Sequence, residues 1–162
     1  MERVIIRSAR VEEWDDAMEL AFRVFLKYEA PDYGKAGTDA FARFITDEML
    51  KKLFIAGHFK LYLAFYEGEM IGLIAMRNTN HVSLLFVEGS HHHQKVGSQL
   101  VEYVRKNMEK EGIDFITVNA APYATEFYHK MGFVDQDGIK EEDGITYTPM
   151  RKKVAMHTID GI

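Results

Sequence analysis

The chain has 162 residues, no cysteine and a formal net charge of −5, and these properties exclude several classes of protein. Without cysteine it can form no disulfide, no thiolate nucleophile and no cysteine-ligated metal site. Its 20 basic side chains are scattered among 25 acidic ones, so it lacks the basic stripe that is typical of nucleic-acid-binding proteins.

The first half of the chain predicts one strand and two helices. Residues 4–6 are a β-branched run typical of a strand, and apolar residues recur at helical spacing across residues 8–28. The proline and two glycines of residues 31–37 predict a loop, after which Thr38 has the side chain of a helix N-cap. The second helix would have an apolar face made of Phe41, Phe44, Ile45 and Met49.

The second half predicts six strands and two helices. Two apolar runs on either side of a tight turn at residues 67–69 indicate a hairpin. Helical periodicity resumes over residues 97–108 and 125–131, and a glycine follows each of these helices. An acidic turn at residues 135–144 separates the last two strands. The predicted strands are residues 61–66, 70–76, 81–87, 115–118, 133–134 and 145–154.

This order of elements predicts a single α/β (α+β) domain over residues 1–162. Its centre would be a mixed sheet of about seven strands flanked by about four helices. The strand–helix–strand passages of the second half predict locally parallel strands there. No apolar run approaches the ~20 residues that span a bilayer, and the charged N-terminus does not resemble a signal peptide, so we expect a soluble, cytoplasmic protein that binds no membrane.

Residues 84–100 are the most informative segment, because they predict a buried strand that passes through a short polar turn into a helix. The first N–H groups of a helix have no partner within it, and together with the helix dipole they attract anions. Backbone amides of residues 92–98 would therefore offer several donors to a phosphate-bearing ligand.

This segment resembles the pyrophosphate loop of the GNAT superfamily of N-acetyltransferases. In the family the loop reads Gln or Arg, two residues, Gly, one residue, and Gly or Ala. Here His92 takes the first position, Lys95 the first glycine and Gly97 the last. A second block, residues 119–133 with the core Phe-Tyr-x-x-Met-Gly-Phe from 127 to 133, resembles the closing segment of the family.

The resemblance implies an acetyl-CoA-dependent N-acetyltransferase with the GNAT fold, using acetyl-CoA as co-substrate and no metal. Tyr128 would protonate the departing thiolate, the Val87 N–H would polarise the thioester carbonyl, and Asn119 and Ala124 would line the pantetheine arm. Since the chain has no cysteine for an acyl-enzyme, the amine would attack directly in a ternary complex. The implied coenzyme-binding residues are Phe86, Val87, His92, His93, Gln94, Lys95, Val96, Gly97, Ser98, Asn119, Ala124, Phe127 and Tyr128.

The acceptor side is less defined by the sequence. His81 is the candidate for the group that takes the proton of the acceptor amine, with Glu29 and Asp32 as alternatives on the segment that covers the acceptor in the family. Aromatic residues close to that segment would shape an acceptor pocket: Tyr28, Tyr33, Phe41 and Phe44. The acceptor would be a small-molecule or peptide amine, its identity is open, and the resemblance also allows a homodimer.

Two readings compete with catalysis. The altered loop keeps open a non-catalytic acyl-CoA-binding module of the same fold, and the run His91–His93 suggests a metal-binding α/β protein. Three adjacent residues cannot easily direct their imidazoles at one ion, so we expect no metal site. Lys95 would be strained if its position needs a positive φ, and harmless if it is helical.

Overall fold

The protein is described over residues 3–89 and 95–155 by a computed structural model. Its sheet joins eight strands in the order β1-β2-β3-β4-β5-β8-β6, and β7 pairs with β8 outside this path. The strands are β1 (Ile5–Ser8), β2 (Lys60–Tyr66), β3 (Glu69–Arg77), β4 (His81–Val87), β5 (Phe115–Ala120), β6 (Val134–Asp135), β7 (Lys140–Glu142) and β8 (Ile145–Lys153). The helices are α1 (Trp14–Tyr28), α2 (Ala30–Ile45), α3 (Glu48–Ile55), α4 (Lys95–Lys110) and α5 (Thr125–Lys130).

The expected parallel strands are β4 and β5, which α4 connects, and the other described strand pairs are antiparallel. A right-handed crossover of this kind needs a helix to return the chain to the same end of the sheet. The predicted hairpin is β2–β3, whose turn residues Glu67 and Gly68 have φ values of 51° and 82°. Two positive φ values are typical of a type I′ turn, which matches the twist of the flanking strands.

Helices cover both faces of the sheet, and each face has its own core. Leu63, Leu73 and Phe86 lie on the face that packs against α1 and α2, where Phe25 and Phe41 stack 4.1 Å apart. Ile74, Ile116 and Met150 belong to the other core, which also holds the apolar stripe of α4. The stripe consists of Val96, Leu100, Val101, Val104 and Met108. Burial on both faces explains why the central strands are continuous apolar runs.

The predicted loop at residues 31–37 is wrong, because these residues belong to α2. Pro31 lies in the first turn of that helix, where a missing N–H costs nothing. Gly34 (φ 70°, ψ −167°) is not helical, so α2 consists of two helical segments joined by a kink at this glycine. Thr38 is therefore inside a helix rather than at its N-cap, and Met49 lies in α3 with 57% of its surface exposed, so it is not part of the core.

Two short elements, α3 and β7, were not predicted from the sequence, which is why seven strands and four helices were expected. Asp47 caps α3 by accepting a hydrogen bond from the Met49 N–H at 2.8 Å, but Leu50 is the only buried residue of this helix. Strand β7 reads Lys-Glu-Glu and is exposed throughout. Neither element has the apolar periodicity on which such predictions rest. No helix of the described segments is long and apolar enough to cross a membrane.

Candidate functional site

Strands β4 and β5 part soon after they begin. They are paired only at His81 with Thr117 and at Val82 with Val118. At the same level the register between β3 and β4 shifts, since Ala75 is opposite Leu84 and Met76 is opposite Val82. Ser83 therefore has no Cα partner and forms a β-bulge, which bends β4 at this point. The bend and the lost pairing open a cleft between the two strands.

The edge of β4 that faces the cleft has unused backbone donors. The Glu88 N–H donates to the Ile71 carbonyl oxygen of β3 at 2.8 Å. Because successive N–H groups of a strand point to opposite edges, the Val87 N–H points away from β3 and toward the cleft. Between Ser83 and Val87 this edge has no strand partner in the described part of the chain. The cleft thus exposes donors that an amide-containing or carbonyl-containing ligand can use.

The cleft widens into a cavity of about 550 Å³. Strands β4 and β5 form its floor, α1 and α2 one wall, α5 another, and the hairpin of β7 and β8 contributes the residues around its mouth. Eight of the residues predicted to act in catalysis or coenzyme binding line this one cavity: His81, Phe86, Val87, Gly97, Asn119, Ala124, Phe127 and Tyr128. Of the four aromatic residues expected around the acceptor, Tyr33, Phe41 and Phe44 line it.

Three further predicted residues belong to the start of α4. Lys95, Val96 and Ser98 lie in its first turn and do not line the cavity; Lys95 is exposed and Val96 is buried in the core. Since Lys95 is part of the helix, the harmless alternative for this position is the one the structure supports. His91, His92, His93 and Gln94 lie outside the described residues.

Gly97 packs closely against α5. A Cβ atom at this position would lie 3.2 Å from the Phe127 ring, so any larger residue would require the ring to shift. Phe127 in turn packs edge-on against Tyr128, with ring centroids 5.1 Å apart. The two sequence blocks that resemble the GNAT pattern are therefore in direct contact in the fold.

Tyr128 presents a buried phenol to the cavity. Only 4% of its surface is exposed, and its ring is held between Phe127 and Phe133. Burial raises the pKa of its hydroxyl well above the usual 10, and the negative charge of Glu29 adds to the effect. The hydroxyl therefore keeps its proton at neutral pH and is available as a hydrogen-bond donor.

Glu29 lies at the junction of α1 and α2, close enough to Tyr128, Tyr33 and Tyr123 for its charge to act on the pKa of each phenol. It is half-buried, and its carboxylate has no hydrogen bond or ion pair among the described residues. Burial, with a smaller contribution from the charge of Asp32, raises the pKa of Glu29 to about 7. A carboxyl group with this pKa changes its charge in the physiological range.

His81 occupies the opposite end of β4. Its Nδ1 lies 2.8 Å from the Thr117 hydroxyl oxygen, and burial, with the charge of Arg77, lowers the pKa of the imidazole to about 4. The imidazole is therefore neutral at pH 7. His81 lies six positions before Val87, a span of about 20 Å along a strand.

The contribution of the β7–β8 hairpin was not predicted from the sequence. Residues 135–144 were expected only to form an acidic turn, yet the hairpin residues Glu142, Asp143, Ile145 and Tyr147 line the cavity. The excess of acidic residues in this turn was the available signal, but its position next to α2 depends on contacts between distant parts of the chain. Glu126 and Arg77 are two further charged residues of the lining that were not singled out.

A family model described as an acetyltransferase (GNAT) domain matches residues 29–154. This range contains β2 to β8 and all of the cavity lining except Val24 and Phe25. None of the curated proteins matches the sequence.

Solved structures with the same fold include several N-acetyltransferases. A GCN5-related N-acetyltransferase from Rhodopseudomonas palustris superposes with a TM-score of 0.82 at 22% identity, covering 94% of this chain and 97% of that one. The PaiA N-acetyltransferase from Thermoplasma acidophilum, solved in complex with coenzyme A, gives 0.79 at 21% identity over 93% and 99%. An aminoglycoside 6'-N-acetyltransferase from Enterococcus faecium gives 0.62 at 15% over 94% and 98%.

Proposed function

Because the chain belongs to the GNAT acetyltransferase family, we propose that it transfers the acetyl group of acetyl-CoA to a primary amine. The observation that carries this proposal is the cleft between β4 and β5, which has free backbone donors on one edge and leads to the buried hydroxyl of Tyr128. The N-acetyltransferases of the same fold, one of them solved with coenzyme A, agree with it.

The residues present fit the coenzyme. The unpaired edge from Ser83 to Val87 can bond the amides of a pantetheine arm as a neighbouring strand would, and Asn119 and Ala124 line the opposite side. The first turn of α4 offers N–H groups and contains no acidic residue, which suits a pyrophosphate. His92, His93 and Gln94 stay predictions for this part of the site.

Three groups of the chain would act on the reaction. When bound, acetyl-CoA supplies an acetyl group activated as a thioester. The Val87 N–H is directed to stabilise negative charge on the carbonyl oxygen, as an oxyanion hole does. As the amine nitrogen bonds to the acetyl carbon and the carbon–sulfur bond breaks, the Tyr128 hydroxyl gives its proton to the sulfur and takes one back from solvent. The amine loses one proton, which the enzyme has to accept.

Glu29 is the group best suited to accept that proton. With a pKa of about 7, part of the Glu29 population is ionised at neutral pH and can still bind a proton. Its negative charge also acts on the pKa of Tyr128. His81, the candidate from the sequence, also lines the cavity but is a weaker base with a pKa of about 4. This difference in pKa favours Glu29 over His81.

The test is a thermal-shift titration with acetyl-CoA, followed by an amine screen that measures release of free thiol. A ligand that binds the folded state alone stabilises it by about 2.7 kcal/mol at a hundredfold excess over its dissociation constant. We expect stabilisation by acetyl-CoA and thiol release with at least one amine. Stabilisation without thiol release across the screen would identify a non-catalytic coenzyme-binding module, and absence of stabilisation would remove the proposal altogether.

A further inference from the structure

The charged side chains that line the cavity are mostly acidic. Four carboxyl groups contribute to the described lining, from Glu29, Glu126, Glu142 and Asp143, and Arg77 is the only lysine or arginine. His81 adds no positive charge, because its imidazole is neutral at pH 7. Low-dielectric walls concentrate the field of such charges within a cleft and attract ligands of opposite sign. The cavity therefore favours positively charged ligands.

The carboxyl groups lie at different depths. Glu29 is half-buried at the base of the α1 and α2 wall, whereas Glu142 and Asp143 are exposed at the tip of the β7–β8 hairpin. Neither of these two hairpin residues takes part in an ion pair within the described segments, although the Tyr147 hydroxyl interacts with Glu142. Two separate carboxylate positions, one inside and one at the mouth, could each contact a different part of an elongated ligand.

The hairpin tip is fixed to the acceptor wall by a close backbone contact. A Cβ atom on Gly37 of α2 would lie 2.9 Å from the Gly144 carbonyl oxygen, and one on Gly144 would lie 2.9 Å from the Gly37 nitrogen. Only glycines allow backbones to approach so closely. Glu142 and Asp143 are consequently held in a defined place beside α2 rather than on a free loop.

An amine must lose its proton before it attacks a thioester. The neutral nitrogen is then no longer attracted by the negative charge of a nearby carboxylate. A second amino group on the same molecule would keep its proton at neutral pH, since an alkylamine resembles lysine in having a pKa near 10.4. The hairpin carboxylates are positioned to bind such a group through charge-assisted hydrogen bonds.

We propose that the acceptor carries a second ammonium group remote from the amine that is acetylated, and that Glu142 and Asp143 bind this ammonium group. The acceptor class would then be aliphatic diamines and longer polyamines rather than simple monoamines. This inference rests on the proposed acetyl transfer, because it assigns the substrate class of the same cavity.

The experiment compares diaminobutane, diaminohexane and diaminooctane with monoamines and amino alcohols of the same length, measuring kcat/KM by thiol release. We expect the best diamine to exceed its matched monoamine and amino alcohol by about tenfold or more, and expect added salt to reduce this preference. Equal values for diamine and monoamine would overturn the proposal.

The double variant E142Q/D143N tests the assignment to the hairpin. Asparagine suits position 143, where Asp143 has a φ of 53°. The variant should lose the diamine preference, so that its kcat/KM values for a diamine and the matched monoamine agree within about twofold. The matched control is Glu141→Gln, which removes one charge from the same hairpin at an exposed residue outside the lining, and it should keep the preference. A preference that survives in E142Q/D143N would overturn the assignment.

A binding measurement separates this inference from the proposed function. Calorimetric titration of the longest diamine into the coenzyme A complex should give a dissociation constant at least about tenfold lower for the wild type than for E142Q/D143N. If no amine is acetylated, the proposed function fails while this comparison still decides the binding role of the hairpin. Equal dissociation constants for the two proteins would overturn the proposed binding role of Glu142 and Asp143.

Discussion

Tyr128 and Glu29 have opposite tasks in the proposed reaction, and each pKa is raised by burial. The raised pKa keeps the Tyr128 phenol protonated and available as a donor, while the Glu29 carboxyl is brought into the range where it can exchange a proton at neutral pH. The negative charge of Glu29 contributes to the raised pKa of Tyr128, so the two groups interact electrostatically. Proton transfer by a positioned side chain typically contributes 10²–10⁴-fold to a rate, which sets the scale of the effects expected below.

Tyr128→Phe should lower kcat by about 10²-fold, because it removes the proton donor to the sulfur. The ring packing between Phe127 and Phe133 is kept, so the dissociation constant of coenzyme A should change less than about twofold. Tyr33→Phe is the matched control, since it removes another tyrosine hydroxyl of the same cavity. Steady-state kinetics with calorimetric coenzyme binding measure both quantities, and an unchanged kcat would exclude Tyr128 from the mechanism.

Glu29→Gln should lower kcat by about 10²-fold and remove the rise of kcat with pH that the wild type is expected to show near pH 7. His81→Gln serves as the comparison, because an imidazole with a pKa of about 4 would give a rise near pH 4 instead. Complete pH profiles of the three proteins distinguish the two bases. If the rise near pH 7 persists in Glu29→Gln, the proton acceptor lies elsewhere.

The same carboxyl group predicts a pH dependence of stability. The pKa of Glu29 is raised from 4.5 to about 7, so between these values the folded state retains a proton that the unfolded state releases. The free energy of unfolding due to this group therefore falls as the pH rises through that window. Glu29→Gln, which stays neutral, should be more stable than the wild type by about 1–3 kcal/mol at pH 8 and equally stable near pH 4. Urea unfolding at both pH values measures the difference, and a constant difference would contradict the shift.

Among the elements, those with strong periodicity could be predicted from the sequence and those with weak periodicity could not. The runs that became β2, β3 and β4 are buried on both faces, β5 alternates buried and less buried residues, and α4 has an apolar stripe, so hydrophobic pattern alone located them. The α3 helix buries a single residue and β7 buries none. Residues 31–37 are helical on either side of the kink at Gly34, and Tyr33 there stacks on Phe25 of α1, a contact between elements that the local sequence does not reveal.

Gly37→Ala tests the contact between α2 and the β7–β8 hairpin. Alanine gains about 1 kcal/mol of helix propensity over glycine, but here its Cβ would lie 2.5 Å from the Tyr33 Cβ and 2.9 Å from the Gly144 carbonyl oxygen. We therefore expect a net loss of about 1–3 kcal/mol in the free energy of unfolding, with a higher KM for the acceptor and unchanged coenzyme binding.

The control for this variant is Gly138→Ala, on the segment before β7, where an added Cβ would meet nothing within 4 Å. Chemical unfolding and acceptor kinetics of both variants make the comparison. A stabilised Gly37→Ala protein with normal kinetics would show that the hairpin does not lie against α2 in solution.

At the scale of the whole molecule, two sequence blocks were sufficient to predict the family and the floor of the site. Each of the two blocks, residues 84–100 and 119–133, is one continuous stretch of chain, and they meet where Gly97 packs on Phe127. The acceptor side could not be predicted in the same way, because Glu29, Glu142 and Asp143 come from distant segments that only the folded sheet brings to one cavity. The single-domain organisation and the homodimer stay predictions.

A crystal structure of the chain with acetyl-CoA tests the central claim most directly, namely that the cleft between β4 and β5 holds the thioester beside Tyr128. We expect the thioester carbonyl oxygen within hydrogen-bond distance of the Val87 N–H and the sulfur next to the Tyr128 hydroxyl. A coenzyme bound elsewhere, or a cleft that stays empty at saturating acetyl-CoA, would contradict the account.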